Sequence, residues 1–528
     1  MTTTSTSRPR KNYDTVPYPG HPYAQTHPAF LSVLAVLFGM TPPPVAQCRV
    51  LELGCGNGAN LIPMGDQLPG STFVGIDTAR AQIAAGQATI AALGLGNITL
   101  RHQDIMDADF QGDTAPFDYV IAHGVYSWIS AEVQERILAL CREHLAPNGV
   151  AYLSYNTYPG WHMLTMVREM MRYHTWDCDD PVEQVAKALA FLDFMSASVP
   201  PEQQAYGNLL RVYGDFLKRK CAQDEAWGHA FVLHDELAEI NTPLSFSQFV
   251  ERAASHGLQY LAETDLPGML LSNLPPQVAA TLSTMAKHQP LVDTEQYLDF
   301  LRGRTFRETL LCRTTVRLDR ALSPRRLASL FIASPTCPAS SSPDLSSAAS
   351  ETFRLPSGEG IGLGHPLSKA AMVHLAAIWP RAISFPDLVA AARLRLELES
   401  SPYGAPTAPV GDTPRDEQIL AANLLKMATC STRLLKLSTH PPAIAPTLSH
   451  WNFPTARPLA RLQSREQTWV TNLLHERVRL DERQRALLQH LDGTRDRAAL
   501  LAALGAGWSL EDLEREVRWL EHRALLVG

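Results

Sequence analysis

Two carboxylates, Glu52 and Asp77, flank a turn with glycines at alternate positions, Gly54, Gly56 and Gly58, and Cys55 lies inside it. Glycines so placed let the backbone turn sharply and approach a ligand where a Cβ would collide. The apolar run 49–53 leads into this turn, and a second run, 72–76, ends at Asp77, 25 residues beyond Glu52. A Rossmann-like fold sets an acid on ribose hydroxyls about 20 residues after the first acid, so the pair reads as a nucleoside site. A dinucleotide site wants G-x-G-x-x-G, whose helix N-terminus neutralises a pyrophosphate. Here the order is E-x-G-x-G-x-G, and an acid inside the motif would repel a pyrophosphate but favour a cationic ligand.

The elements that must position these groups follow from the pattern. Strands are predicted at 49–53, 72–76, 98–101, 117–122 and 150–154, with helical stretches between them. That alternation calls for right-handed crossovers and a parallel α/β sheet, whose ligands bind beyond the carboxyl ends of the strands. The residues there are Glu52 and the glycines, Asp77, Gln103 with Asp104, then His123 to Trp128, then Tyr155 to Trp161. Tyr126, Trp128, Tyr158 and Trp161 are therefore expected where a channel to the site would open, with simple core packing as the alternative. His123 reads either as a general base or as a ligand-contacting histidine at a strand end.

The chain divides further. Residues 1–48 are expected to form a tail and an aromatic, proline-rich segment that either covers the ligand or packs over the sheet edge. The core would run from 49 to 161, a helical insertion with a regulatory or dimerisation role from 162 to 244, and the return to the sheet from 245 to 290. A middle region with a strand at 306–311 and a Ser/Pro/Ala-rich linker would fill 291–365, and helix-turn-helix patterns at 366–396 and from 480 onward suggest a winged-helix-like region over 366–528. A second Pro/Gly-rich gap is expected at 400–414.

Composition narrows the classes. The 528 residues are 45% apolar and 19% charged, with a net charge of −7 and scattered basic residues, which disfavours nucleic acid as a partner. No long uncharged apolar run or apolar leader is present, so no membrane insertion is expected. Eight separated cysteines without a C-x-x-C pair point to reduced thiols in a cytoplasm and away from structural zinc, so no metal is expected.

The turn resembles motif I of class I S-adenosylmethionine-dependent methyltransferases. Over nearly its whole length the chain resembles the bacterial members of that class that carry a methyltransferase regulatory domain, a group including rickettsial protein-lysine methyltransferases acting on outer-membrane proteins. The segments that carry the likeness are 12–18, 25–28, 50–63, 117–128 and 154–161, with 233–241 and 256–263 matching the regulatory region. The resemblance implies S-adenosylmethionine as cofactor, a C-terminal winged-helix-like domain and homodimers formed partly through the helical insertion. It implies that Glu52, Gly54, Cys55, Gly56 and Gly58 surround the amino-acid end of the cofactor, that Asp77 accepts both ribose hydroxyls, that Asp104 receives the adenine amino group, and that Ile105 stacks on the ring. Thr78-Ala79 departs from the Leu-Ser common in relatives, and no Asn/Asp-Pro-Pro-Tyr follows the fourth strand, which argues against nucleobase amino groups as acceptors. The function this leads to is methylation of protein lysines by in-line displacement. The alternatives are a small-molecule or lipid acceptor, and a catalytically silent cofactor-binding regulator.

Overall fold

A computed structural model describes residues 16–110, 115–400, 413–444 and 452–527. Tail residues 1–15, and with them the start of the 12–18 segment, lie outside the described residues, as does most of the 400–414 gap.

Helix α1 (Pro28–Leu37) opens with proline at its first turn, where a missing N–H costs nothing, and buries most of its length. Then β1 (Arg49–Leu53), α2 (Leu61–Gln67), β2 (Thr72–Asp77), α3 (Arg80–Leu93), β3 (Ile98–His102), β4 (Phe117–Ala122), α4 (Ala131–His144) and β5 (Leu145–Asn156) alternate as the sequence pattern requires. Strand β1 is almost wholly buried, as befits the middle of a parallel sheet covered on both faces.

The chain leaves the sheet for α5 (Gly160–His174), α6 (Pro181–Ser198), α7 (Gln204–Gln223) and α8 (Glu225–Phe231), which share their own apolar core around Met171, Leu192, Leu210 and Leu217. It returns through α9 (Phe246–Ser255), started by a reciprocal Ser245–Gln248 cap, and β6 (Leu258–Glu263). Three helices follow, α10 (Leu266–Met269), α11 (Pro276–Met285) and α12 (Pro290–Arg302), before β7 (Phe306–Arg313). The strand expected at 306–311 in a middle region is instead the seventh strand of the main sheet. It lies antiparallel between β5 and β6, giving the order β3-β2-β1-β4-β5-β7-β6.

Two further corrections concern the C-terminal half. After β8 (Phe331–Ala333), the stretch read as a linker, 335–360, carries β9 (Cys337–Pro338) and β10 (Glu351–Arg354), which form a small antiparallel sheet with β11 (Gly360–Leu363). Its composition suggested flexibility, yet Leu345 and Phe353 are buried, and Lys369 Nζ is held by backbone carbonyls of Ser347 and Ala349. The region 366–528 is also not one unit. Helices α13 (Pro366–Ile378), α14 (Phe385–Ser400) and α15 (Thr413–Cys430), with β12 (Ile383–Ser384) and β13 (Lys436–Ser438) beside β8, share a core with one face of the main sheet. A separate core unites α16 (Pro458–Glu466), the hairpin β14 (Trp469–Thr471) and β15 (Arg477–Arg479), α17 (Glu482–His490), α18 (Arg497–Leu504) and α19 (Leu510–His522). Helices plus a two-stranded hairpin make this last unit a winged helix. Among the described residues no helix is long and apolar enough to cross a membrane.

Strand β7 is fastened by a buried ionic cluster. The Arg307 guanidinium is 1% exposed, meets Glu263 at 2.7 Å, Asp299 at 2.8 Å and Glu295 at 3.1 Å, and lies over the Phe246 ring at 4.0 Å. Burial lifts the Glu295 carboxyl to about 7, against the pull of Arg307. Removing the cation would strand three buried acids. Arg307→Met is therefore expected to cost about 3–5 kcal/mol in urea unfolding, and a loss below about 1 kcal/mol would show the cluster to be dispensable.

Candidate active site

The glycine turn leaves β1 with Gly54 and Gly56 at φ +76° and +53°, a region that disfavours side chains. A Cβ on Gly54 would also strike the Val125 side chain in the loop after β4. Just before the turn, Glu52 is 4% exposed. Its Oε1 accepts a hydrogen bond from Asn60 Nδ2 at 2.8 Å, while Oε2 is buried with no partner. Burial raises the Glu52 carboxyl to about 8, Asn60 opposing and Asp77 adding to the rise. Asp77 ends β2, and its two oxygens accept from the Gly56 and Ala79 backbone N–H groups, each at 2.8 Å. Each oxygen retains lone-pair capacity for hydroxyl donors.

These features test whether a sulfonium nucleoside fits. An orphaned, buried carboxyl oxygen suits an ammonium, the backbone-fixed Asp77 suits a ribose diol, and the side-chain-free turn leaves room for both. The residues present fit the group. Asp104 sits at the end of β3 with Oδ1 accepting from Met106 N–H at 2.9 Å and its side chain exposed. Ile105, expected to stack on an adenine ring, packs at the end of the apolar cluster that includes Leu53, Ile76 and Ala122.

The loop after β4 separates the aromatic candidates. Half-buried His123 lies beneath the Tyr23 ring, centroids 3.8 Å apart, with Phe306 edge-on at 6.3 Å. Burial depresses its pKa to about 3. His123 Nδ1 is 2.7 Å from Tyr152 Oη, and the Tyr152 hydroxyl donates to Glu308 Oε1 at 3.1 Å. Because the single phenolic proton goes to Glu308, Nδ1 of the neutral imidazole is the donor to Tyr152, and Nε2 carries the lone pair. A base this weak takes a proton from an ammonium poorly.

Tyr126 does not join this group. It is fully buried, edge-on to Phe249 at 5.5 Å and to Tyr155 at 6.3 Å, so it is a core residue. Trp128 meets Trp161 edge-on at 6.0 Å, and Tyr158 stacks on His162 at 4.0 Å. These two pairs sit at the root of the helical insertion.

Sequence reasoning missed several residues that the fold brings together. Asn60 takes an N–H from Tyr23 at 2.9 Å on Oδ1 and gives its own protons to Glu52 and to Thr26 Oγ1. Glu308 accepts from Gln25 Nε2 at 2.8 Å, from Tyr152 and from Thr264 Oγ1 at 2.6 Å. It borders an open cleft of about 380 Å³ that Asp265, Arg302, Arg304 and Phe306 also line. An asparagine six residues after the first motif glycine was the only local signal among these; the rest meet through strands and loops far apart in sequence.

Comparison with known proteins agrees with this arrangement. A family model described as a methyltransferase domain matches residues 51–151, a predicted methyltransferase regulatory domain matches 229–313, and a PKMT C-terminal winged helix domain matches 452–515. The chain is 31% identical over 507 residues to uncharacterised protein RP789 of Rickettsia prowazekii, spanning 95% of this chain and 87% of that one. It is 37% identical over 242 residues to RP028 of the same organism, 46% of this chain and 93% of the relative. The structure of PKMT2 from Rickettsia typhi superposes with a TM-score of 0.82 at 27% identity, covering 97% of this chain and 100% of that one. The structure of the same protein in complex with AdoHcy gives 0.81 at 28% identity, again covering 97% and 100%.

Two predictions follow from the carboxylates. At neutral pH a Glu52 with a pKa of about 8 is mostly protonated, and a cationic ligand end draws it to the carboxylate. Binding of S-adenosylhomocysteine should then release up to about one proton and tighten by up to about tenfold per pH unit toward pH 8, levelling above it. Calorimetry in buffers of different ionisation heat checks this; Glu52→Gln should abolish the release. Asp77→Ala should weaken the same ligand by about tenfold or more with circular dichroism unchanged, and wild-type affinity would remove the ribose assignment.

Proposed function

The chain belongs to the class I S-adenosylmethionine-dependent methyltransferases that carry a methyltransferase regulatory domain, and we propose that its methyl acceptor is the side-chain nitrogen of a protein lysine. Its cofactor is S-adenosylmethionine. The observation that carries the lysine reading is the cleft bordered by Glu308 and Asp265 beside the His123–Tyr152 pair. Charged side chains of both signs line the cleft, Glu308 and Asp265 with Arg302 and Arg304, the last paired with buried Asp299 at 2.9 Å; the two carboxylates can receive an ammonium, whereas a lipid tail would call for an apolar wall. The winged helix and the helical insertion flanking the sheet favour a macromolecular acceptor over a small molecule.

S-adenosylmethionine supplies a methyl group on a sulfonium, an intrinsically good leaving group. The residues of this chain then have three tasks. Glu52, the glycine turn and Asp77 would hold the cofactor's two ends, with Asp104 for the base. Glu308 and Asp265 would draw in the acceptor as its cation, and the Tyr23 and Phe306 rings would strip water from it, lowering its pKa. The acceptor's proton leaves to water through the open cleft, since His123 is too weak a base to keep it. His123, donating to Tyr152 with its lone pair on Nε2, is assigned a neutral orienting role.

The eight cysteines are all free thiols, which supports the cytoplasmic location proposed for the protein. A homodimer is proposed through the helical insertion, where Tyr173, Trp176, Phe194 and Val212 are each more than 60% exposed. Light scattering should give twice the chain mass for the wild type, and Phe194→Asp with Val212→Asp should give the monomer. A wild-type monomer at tens of micromolar would end that reading.

The acceptor class is tested with methyl-labelled cofactor and fractionated bacterial lysate. Label is expected in protein and, after acid hydrolysis, in methyllysines. Label confined to solvent-extractable lipid or small molecules would overturn the proposal. Glu308→Gln should lower kcat/KM by about 30-fold or more while leaving S-adenosylhomocysteine affinity within about twofold.

A further inference from the structure

The tip of the β14–β15 hairpin reaches into the cofactor site of the main sheet. His475 stands at this tip with φ +59°, a left-handed conformation uncommon outside glycine, and it is 2% exposed. Its Nε2 lies 2.8 Å from Asn60 Oδ1 and, because that oxygen only accepts, Nε2 is the donor. Nδ1 is buried without a partner, and the ring lies 5.3 Å from that of His27. The Asn60 amide is thus fully committed, with Tyr23 and His475 on its oxygen and Thr26 and Glu52 on its nitrogen.

The hairpin tip is seated around this contact. Gln67 of α2 donates to the Asn472 carbonyl, Lys436 pairs with Glu476 at 2.9 Å, and Arg477 pairs with Asp224 at 3.1 Å. Asn472 Oδ1 accepts from both the Leu474 and Glu476 N–H groups, which fixes the turn that presents His475.

We propose that His475 is a positioning residue for the cofactor, acting through Asn60 on Glu52, so that seating of the winged helix sets cofactor affinity. With His475 donating, Asn60 keeps its oxygen toward the hairpin and its nitrogen toward Glu52. Without that donor the Asn60 oxygen keeps the Tyr23 N–H but loses its partner on the hairpin side, and the amide that orients Glu52 is held less firmly. A ligand that holds Glu52 must, by linkage, hold the hairpin tip as tightly as the tip holds the ligand site.

The test uses the full chain and S-adenosylhomocysteine. His475→Ala is expected to raise its Kd about tenfold, and His475→Gln, whose amide can still donate, to bring it back within about threefold of wild type. In a Glu52→Gln background the His475→Ala penalty should vanish. Lys436→Ala, which removes one contact that seats the hairpin but leaves the His475–Asn60 bond in place, should weaken binding by clearly less than His475→Ala. Unchanged affinity in His475→Ala, no rescue by His475→Gln, an equal penalty in both backgrounds, or an equal loss in Lys436→Ala would each overturn the proposal. Should His475→Ala fail to fold, hydrogen exchange on the wild-type protein decides: saturating ligand should slow the amides of residues 472–477, and unchanged rates would refute the coupling.

Discussion

A carboxyl group buried in the middle of a parallel sheet is the constraint around which this molecule is built. Glu52 occupies a strand flanked by β2 and β4 and closed off on both faces, a place where an unpaired charge costs several kcal/mol. The fold meets that cost in two ways, by leaving the group mostly protonated near neutral pH and by directing one amide nitrogen at it. In the proposed assignment a cationic ligand end would be the third way, making ligand binding favourable where folding alone leaves the carboxyl half-satisfied. Asp77 needs no such help, because two backbone N–H groups fix its geometry before any ligand arrives.

The same economy of strand geometry governs the other end of the site. Neighbouring residues on β7 face opposite sides of the sheet, so Arg307 turns into a pocket of acids while Glu308 turns to the ligand side. Fastening one fastens the other. Strands β6 and β7 belong to the segment matched by the regulatory-domain model, residues 229–313. That segment is therefore no appendage: it completes the sheet and supplies the carboxylate at the cleft.

What could be read from the sequence was what local pattern encodes. Glu52, the glycines and Asp77 stand at offsets fixed by one βαβ unit, so their types and spacing sufficed, and the first five strands were legible from apolar runs. Strand β7 was legible as a strand, but its place in the main sheet was not, because that is set by pairing with β5, some 150 residues away, and nothing in its own residues reveals the partner. Ser/Pro/Ala-rich residues 335–360 looked like a linker because small residues signal a loop until a neighbouring apolar surface buries the few large ones. Tyr126 shows the converse limit: a loop position implied an exposed aromatic, but the short helical turn there rotates the ring into the core against Phe249. His475 carried no signal at all, since the hairpin that bears it meets Asn60 only after two domains have folded.

With the amine acceptor proposed above, methyl transfer from a sulfonium would ask the site to attract two cations and then keep its centre free of charge. The arrangement here answers that conflict by position. Carboxyl groups stand at the two ends, Glu52 by the glycine turn and Glu308 by the cleft, and neutral groups connect them. From Glu52 the chain of contacts passes to Asn60, to the backbone of Tyr23, through its ring to His123, then to Tyr152 and Glu308. A histidine with an ordinary pKa in the middle of that series would acquire charge in mild acid and repel both cations. Burial under Tyr23 keeps His123 neutral across the physiological range, so the N-terminal segment that carries Tyr23 acts electrostatically as well as sterically. The aromatic cover over the sheet edge and the weakness of His123 as a base are thus one feature, and each explains the other.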